Sequence, residues 1–225
     1  MTWVKICGIT NLEDGLRAAE AGADAVGFVF HEKSPRFVSS LAAQEIAARL
    51  PEKVEKVGVF ADESWESIRK AAAKAGMTGI QFHNCGRQKG TEFFDLQGSK
   101  FYPVLRMSEF FNDRGGLQDF NWSRCDQHPQ AGAIFLDSGT AQEPGGTGRT
   151  FDWEKAKPLA DSIKLTGFRL VVAGGLTAAN ASEAIRTLEP WGVDISSGVE
   201  ASPGKKDAVK IREFIAAVRE LEKST

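Results

Sequence analysis

Cys7 closes the apolar run WVKIC and stands beside Gly8, and Asp137 comes directly after the run AGAIFL. A thiol and a carboxyl group are the groups from which proton transfer to and from a substrate is built. Taken alone, Cys7 reads as a small buried hydrophobe, the usual place of a free cysteine. An unperturbed thiol, with a pKa of about 8.5, is only a few per cent thiolate near neutral pH. To act as a base it needs cationic neighbours or a helix N-terminus. Asp137 either caps the next helix, bonds to a loop or works in a site. The glycine-rich stretch Gly145-Gly146-Thr147-Gly148 downstream favours the last of these, beside a ligand-hugging active-site loop.

Two further segments suit an anion. Ala173-Gly174-Gly175 and Ser196-Ser197-Gly198 each come after an apolar run. Glycines let backbone N–H groups approach a ligand closely, and a short helix after the second segment would aim more of them at it. Either segment alone is an ordinary turn; together they predict a phosphate site. No Gly-Lys-Ser/Thr is attached, so it is not a Walker loop. Arg36, in Ser34-Pro35-Arg36, is a solvated arginine by default, or a fork for a carboxylate or second anion. His83, closing the run GIQFH, is equally a packed histidine or a site residue.

The elements that must carry these residues alternate regularly. Strand-like runs occupy 3–7, 25–30, 54–60, 79–83, 101–106, 131–136, 169–173 and 193–195. Helical spacing marks 11–21, 40–50, 64–75, 153–164, 178–188 and 207–222, with Asn11 as an N-cap. Pro103 weakens the fifth strand by removing a ladder donor. No helix can be placed between 84 and 130. The strands are Val/Ile/Phe-rich without clean alternation, as parallel strands covered on both faces should be. Eight such units predict an α/β fold, a single (β/α)₈ TIM barrel over 1–225, whose functional face is the C-terminal end of its strands. A doubly wound open sheet is disfavoured, since the first turn lacks a Gly-x-Gly-x-x-Gly fingerprint.

Composition narrows the class. A formal net charge of −2 lacks the basic excess of a nucleic-acid or anionic-membrane protein. No apolar run reaches the ~20 residues of a membrane span. The N-terminus lacks a basic leader ahead of an apolar core. Three irregularly spaced cysteines suggest neither a disulfide framework nor a zinc site, so a cytoplasmic enzyme without a metal is expected. Lys205-Lys206 and the stretch 212–223 read as a solvated helix face.

As an ordered set, several motifs resemble the phosphoribosylanthranilate isomerase family. They are Lys5-Ile6-Cys7-Gly8-Ile9-Thr10, the 22–28 run with Ser34-Pro35-Arg36, Gly58-Val59-Phe60, and Leu136-Asp137-Ser138 with the 145–148 glycines. Phe151-Asp152-Trp153, Ala173-Gly174-Gly175-Leu176 with Asn180, and the 193–200 run ending in Glu200 complete the set. The resemblance implies an Amadori rearrangement of N-(5-phosphoribosyl)anthranilate in tryptophan biosynthesis, with no cofactor. It implies Asp137 as general acid, Cys7 as general base and Arg36 as the holder of the anthranilate carboxylate. Gly174, Gly175, Ser196, Ser197 and Gly198 would hold the phosphate, with Asp194 and His83 in supporting contact. A small phosphosugar is the expected partner of a monomer or homodimer. The family's usual Gln-Leu-His-Gly reads Gln81-Phe82-His83-Asn84 here. The rivals are another phosphosugar isomerase, whose relatives carry an aspartate where Cys7 stands, and a barrel that only binds a phosphometabolite.

Overall fold

In this computed structural model β1 (Trp3–Cys7), β2 (Ala25–Val29), β3 (Glu55–Phe60), β4 (Gly79–Phe82), β5 (Lys100–Arg106), β6 (Ile134–Asp137), β7 (Leu170–Ala173) and β8 (Gly192–Ile195) form a closed barrel in sequence order. Every neighbouring pair is parallel, including β8 on β1. The expected (β/α)₈ barrel is therefore the fold. The structure describes residues 1–83, 98–109, 132–139 and 150–223. Helices α1 (Leu12–Ala21), α2 (Ser40–Ala47) and α3 (Trp65–Ala75) come after the first three strands. After the last three strands come α4 (Trp153–Leu165), α5 (Ala181–Leu188) and α6 (Ala208–Lys223). Asn84 and the glycines at 145–148 lie outside the described residues.

Local chemistry sets the helix ends. Asn11 caps α1, its side-chain oxygen accepting the Asp14 N–H at 2.9 Å, and Gly22 ends the helix in the left-handed conformation with φ 99°. Ser64 caps α3 in the same way through Ser67 N–H. Pro103 does not interrupt β5. It sits opposite Phe82 on the β4 side, and registered pairing with β6 begins one residue later, at Val104. The sixth strand starts at Ile134 and takes in Asp137, which is thus the strand's last residue rather than the first of a loop.

Alternation along the strands sorts side chains into two sets. Val4, Ile6, Val26, Phe28, Leu136, Val172 and Val193 face outward and pack under the helices. Trp3, Val57, Tyr102, Phe135 and Val171 face inward and fill the barrel's lower end with aromatic rings. Trp3 meets Phe135 edge-on at 6.2 Å and stacks on Trp191 at 5.2 Å. Each such large apolar side chain contributes about 1.5–3 kcal/mol by leaving water.

Further along the same strands the inward positions turn polar. Trp3 gives way to Lys5 and Cys7, Tyr102 and Val104 to Arg106, and Phe135 to Asp137. The aromatic base is thus a dry floor beneath a charged layer.

Candidate active site

Lys5 and Asp194 stand opposite each other in the β1–β8 ladder. The Lys5 ammonium donates to both carboxylate oxygens of Asp194 at 2.9 Å and has no solvent exposure. Such a buried charge persists only when paired. Burial is the largest influence and works against the ammonium, but the Asp194 carboxylate and the Cys7 sulfur together hold Lys5 above its ordinary pKa. Phe135 lies beneath, its ring centre 5.5 Å from Nζ.

Cys7 is one residue pair nearer the open end of β1 and is buried. It shares a face with Lys5 because strand side chains alternate. Gly27, opposite Cys7 in β2, makes room for both. A Cβ added there would lie 2.9 Å from Cys7 Sγ and 3.1 Å from Lys5 Cε. Burial pushes the thiol up, Lys5 pulls it down, Asp194 pushes it up again and Lys206 pulls it down, with a net rise.

Across the barrel, Asp137 sits beside Arg106 in the β5–β6 register. Gly139 N–H donates to its Oδ1 at 2.8 Å. Burial nevertheless raises the carboxyl to about 6, with Asp194 adding to the rise and the Gly139 bond, Arg106 and Lys5 opposing it. A carboxyl poised there can deliver a proton close to neutral pH. His83 comes directly after β4, and burial together with Arg106 and Lys5 lowers it to about 3, so its ring is neutral. Gln81 Nε2 lies 3.5 Å from His83 Nε2. His83 Nδ1 and Gln81 Oε1 are buried without a hydrogen-bond partner among the described residues.

Arg36 is not a solvated arginine. Its Nε and Nη2 donate to the two carboxylate oxygens of Glu200 at 2.8 Å each. That pairing uses one edge of the guanidinium and leaves the Nη1/Nη2 edge without a partner among the described residues. Glu200 opens a small antiparallel hairpin, β9 (Glu200–Ser202) and β10 (Lys205–Lys206). Lys206, expected on a solvated face, is instead 2% exposed. It donates to Glu200 Oε1 at 2.8 Å and to Ser196 O at 3.2 Å, while its own N–H donates to Asp14. The physical reason is the turn at Pro203-Gly204, which folds the chain back so that Lys206 meets Glu200.

The two glycine segments converge above β7 and β8. Gly174 and Gly175 are left-handed, with φ of 85° and 66°. Gly174 lies so close to Ser138 that a Cβ would fall 2.1 Å from its Oγ. Asn180 fastens this loop, accepting Thr177 N–H at 2.7 Å and donating to Gly175 O at 3.1 Å. After β8, Ser196 Oγ donates to Cys7 O at 3.1 Å, and Ser197–Val199 forms one turn of 3₁₀ helix.

All ten residues singled out from the sequence thus lie in the C-terminal halves of the strands or in the loops that come after them. Sequence reasoning missed Lys5, Gln81, Arg106, Glu200 and Lys206 as parts of the site. For Lys5 and Arg106 a signal existed: a charge at an inward position of a buried parallel strand must find a partner. Among the described residues no three His, Cys, Asp or Glu side chains gather as a metal site would require.

Comparison with known proteins gives a consistent answer. A family model described as N-(5'phosphoribosyl)anthranilate (PRA) isomerase matches residues 4–217. N-(5'-phosphoribosyl)anthranilate isomerase of Pelobacter propionicus is 43% identical over 220 residues, covering 98% of this chain and 97% of that one. The crystal structure of phosphoribosyl anthranilate isomerase from Thermotoga maritima is 37% identical, with a TM-score of 0.78, covering 98% of this chain and all (100%) of that one. A phosphoribosyl anthranilate isomerase solved in complex with reduced 1-(o-carboxyphenylamino)-1-deoxyribulose 5-phosphate has a TM-score of 0.75 at 37% identity, with coverage of 98% and 100%.

Proposed function

The chain belongs to the N-(5'-phosphoribosyl)anthranilate isomerase family, and on that premise we propose how its own residues carry the Amadori rearrangement of tryptophan biosynthesis. Asp137 is the general acid. It protonates the furanose ring oxygen as the bond from that oxygen to C1 breaks, and the anthranilate nitrogen forms the Schiff base. Cys7, as thiolate, removes the C2 proton to give an enolamine, which tautomerises to 1-(2-carboxyphenylamino)-1-deoxyribulose 5-phosphate. No electrons leave or enter, so the step needs no redox partner.

The observation that carries this reading is the Asp137 carboxyl held at about 6 by burial at the open end of the barrel. An ordinary aspartate, with a pKa of about 3.9, would be a poor proton donor at neutral pH. Arg36 offers its Nη1/Nη2 edge to the anthranilate carboxylate, which matches a fork–fork pair. Neutral His83 accepts from Gln81 at Nε2 and donates from Nδ1 to the substrate. Backbone N–H groups of Gly174, Gly175, Ser197 and Gly198, with Ser196 alongside, hold the phosphate. Phosphate binding remote from C1 and C2 fixes the reacting carbons, which is where positioning contributes to rate. Asp194 acts through Lys5. Every residue invoked comes from one chain, so the site is complete in a monomer or in each half of a homodimer.

The test is the decay of anthranilate-type fluorescence when the purified protein meets freshly made phosphoribosylanthranilate, with spontaneous hydrolysis subtracted. Enzyme-dependent decay with the carboxyphenylamino-deoxyribulose phosphate as product is expected. Decay no faster than hydrolysis would overturn the assignment.

A further inference from the structure

An acid at about 6 faces a base whose thiol is raised above its ordinary value, and this poses a problem the two residues do not solve by themselves. The productive arrangement has Asp137 protonated and Cys7 ionised. Something must favour the thiolate in a site that excludes water.

We propose that Lys5 is a positioning residue for proton transfer at Cys7: its ammonium, clamped by Asp194 on the barrel's inner wall, stabilises the thiolate the reaction needs. The inference rests on the reading of Cys7 as base, and its grounds are geometric. Lys5 and Cys7 are two residues apart on one strand and so point the same way. Lys5 Cε and Cys7 Sγ both approach the same bare Cα, that of Gly27, within 3.1 Å of where a Cβ would be. The ammonium is fully buried and held by two hydrogen bonds of 2.9 Å, so it cannot swing away into solvent. A charge in that setting acts through a low local dielectric and is worth far more than in water.

The neighbouring charges give the inference its sign. Lys5 on β1 and Lys206 on β10 favour the thiolate, and Asp194 on β8 opposes it. Arg36, in the loop after β2, also feels the thiolate's charge. Lys5 is the strongest of the favourable charges, and Asp194 both fixes it and tempers it. Asp194 therefore sets how much of the lysine's field reaches the sulfur.

The experiment is a difference titration. Thiolate absorbance in the ultraviolet is measured against pH, each protein minus its own Cys7→Ser counterpart, for the parent, Lys5→Met and Asp194→Asn. Turnover is measured on the same preparations. Lys5→Met is expected to move the Cys7 midpoint up by about one pH unit or more, roughly a tenfold loss of thiolate below it. Its kcat should fall by about tenfold or more with KM nearly unchanged. Asp194→Asn should move the midpoint down. Unchanged midpoints in both variants would overturn the inference. A shifted midpoint with unaltered kcat would leave Lys5 as the thiol's partner but remove Cys7 as the base.

Lys5→Met leaves Asp194 buried and unpaired and so endangers folding. The double variant Lys5→Met/Asp194→Asn removes both charges. Its midpoint is expected between those of the parent and Lys5→Met, and a midpoint equal to the parent's would again count against Lys5.

Discussion

Arg36 and Glu200, 164 positions apart in the chain, are joined by two hydrogen bonds of 2.8 Å. This pair ties the loop after β2 to the hairpin after β8 and decides which edge of the guanidinium remains for a ligand. Burial works against the Glu200 carboxylate, but Arg36 and Lys206 together hold it below the usual carboxylate range. Glu200→Gln keeps the shape and removes the charge. It is expected to raise KM by roughly tenfold while changing kcat far less, because an interaction made equally in ground and transition states is loosened. Analogues with and without the carboxylate check it: only the affinity of the former should fall. Equal losses for both would mean that Arg36 does not read the carboxylate.

Removing the Glu200 side chain altogether has a second consequence. Glu200→Ala strands Arg36 and Lys206 with no counter-charge in a mostly buried setting, a change that typically costs about 3–5 kcal/mol. A large drop in Tm is expected, and partial recovery in Glu200→Ala/Lys206→Met, which removes the more buried of the two lone charges. No recovery would show that Lys206 is not a partner in the cluster.

The pH dependence of kcat/KM reflects two unlike groups. The acid limb should fall near pH 6, where Asp137 titrates, and the alkaline limb where the thiol, raised by burial, titrates. Because the acid loses its proton before the base does, only a small fraction of the free enzyme is in the productive form on the plateau. Asp137→Asn and Cys7→Ala should each lower kcat by roughly 10²-fold or more. A near-normal kcat in either would exclude that residue.

Asp137→Asn should also change stability, in the direction opposite to activity. Folding moves this carboxyl up from 3.8 to about 6. Below the lower value both folded and unfolded chains are protonated and nothing is lost. Between the two the unfolded chain ionises first, and above about 6 the folded protein carries the full penalty, on the order of 3 kcal/mol. The amide keeps an acceptor for Gly139 N–H without a charge. The variant should therefore melt higher than the parent at pH 8 and lose that advantage towards pH 4. Equal melting temperatures at both pH values would show that Asp137 is not held protonated by its surroundings.

The barrel is legible because parallel strands covered on both faces leave runs such as AVGFV and LVVA, spaced by helical periodicity with a visible cap at Asn11. The strand-end residues Cys7, His83 and Asp137 become visible once the fold puts them on the functional face. What stays hidden depends on partners far apart in sequence. Lys5 inside WVKIC and Asp194 inside VDI each look like a blemish in an apolar strand until the β8–β1 closure sets them opposite each other. Lys206 looks like a solvated charge because the hairpin that turns it towards Glu200 has strands of three and two residues, too short for any period to register. Arg36 reads by default as a solvated arginine, and only the family resemblance makes it a carboxylate-binding fork; that one edge belongs to Glu200 cannot be seen from local spacing.

Gly174 offers a separation of backbone strain from phosphate binding. Its φ is 85°, and an added Cβ would sit 2.1 Å from Ser138 Oγ and 2.6 Å from Ser138 N. Ser138 is the next residue after Asp137, so Gly174→Ala must shift either the loop after β7 or the end of β6. Gly76 is the control: φ is 68°, with nothing within 4 Å of the added carbon. Both substitutions carry the left-handed strain of roughly 1–2 kcal/mol, so both should lower Tm. Only Gly174→Ala should raise KM, by about tenfold or more, and weaken competitive inhibition by inorganic phosphate to a similar degree. Unchanged phosphate inhibition in Gly174→Ala would remove this loop from the phosphate site. Equal kinetic losses in Gly76→Ala would mean that general destabilisation, rather than the Gly174–Ser138 contact, governs binding.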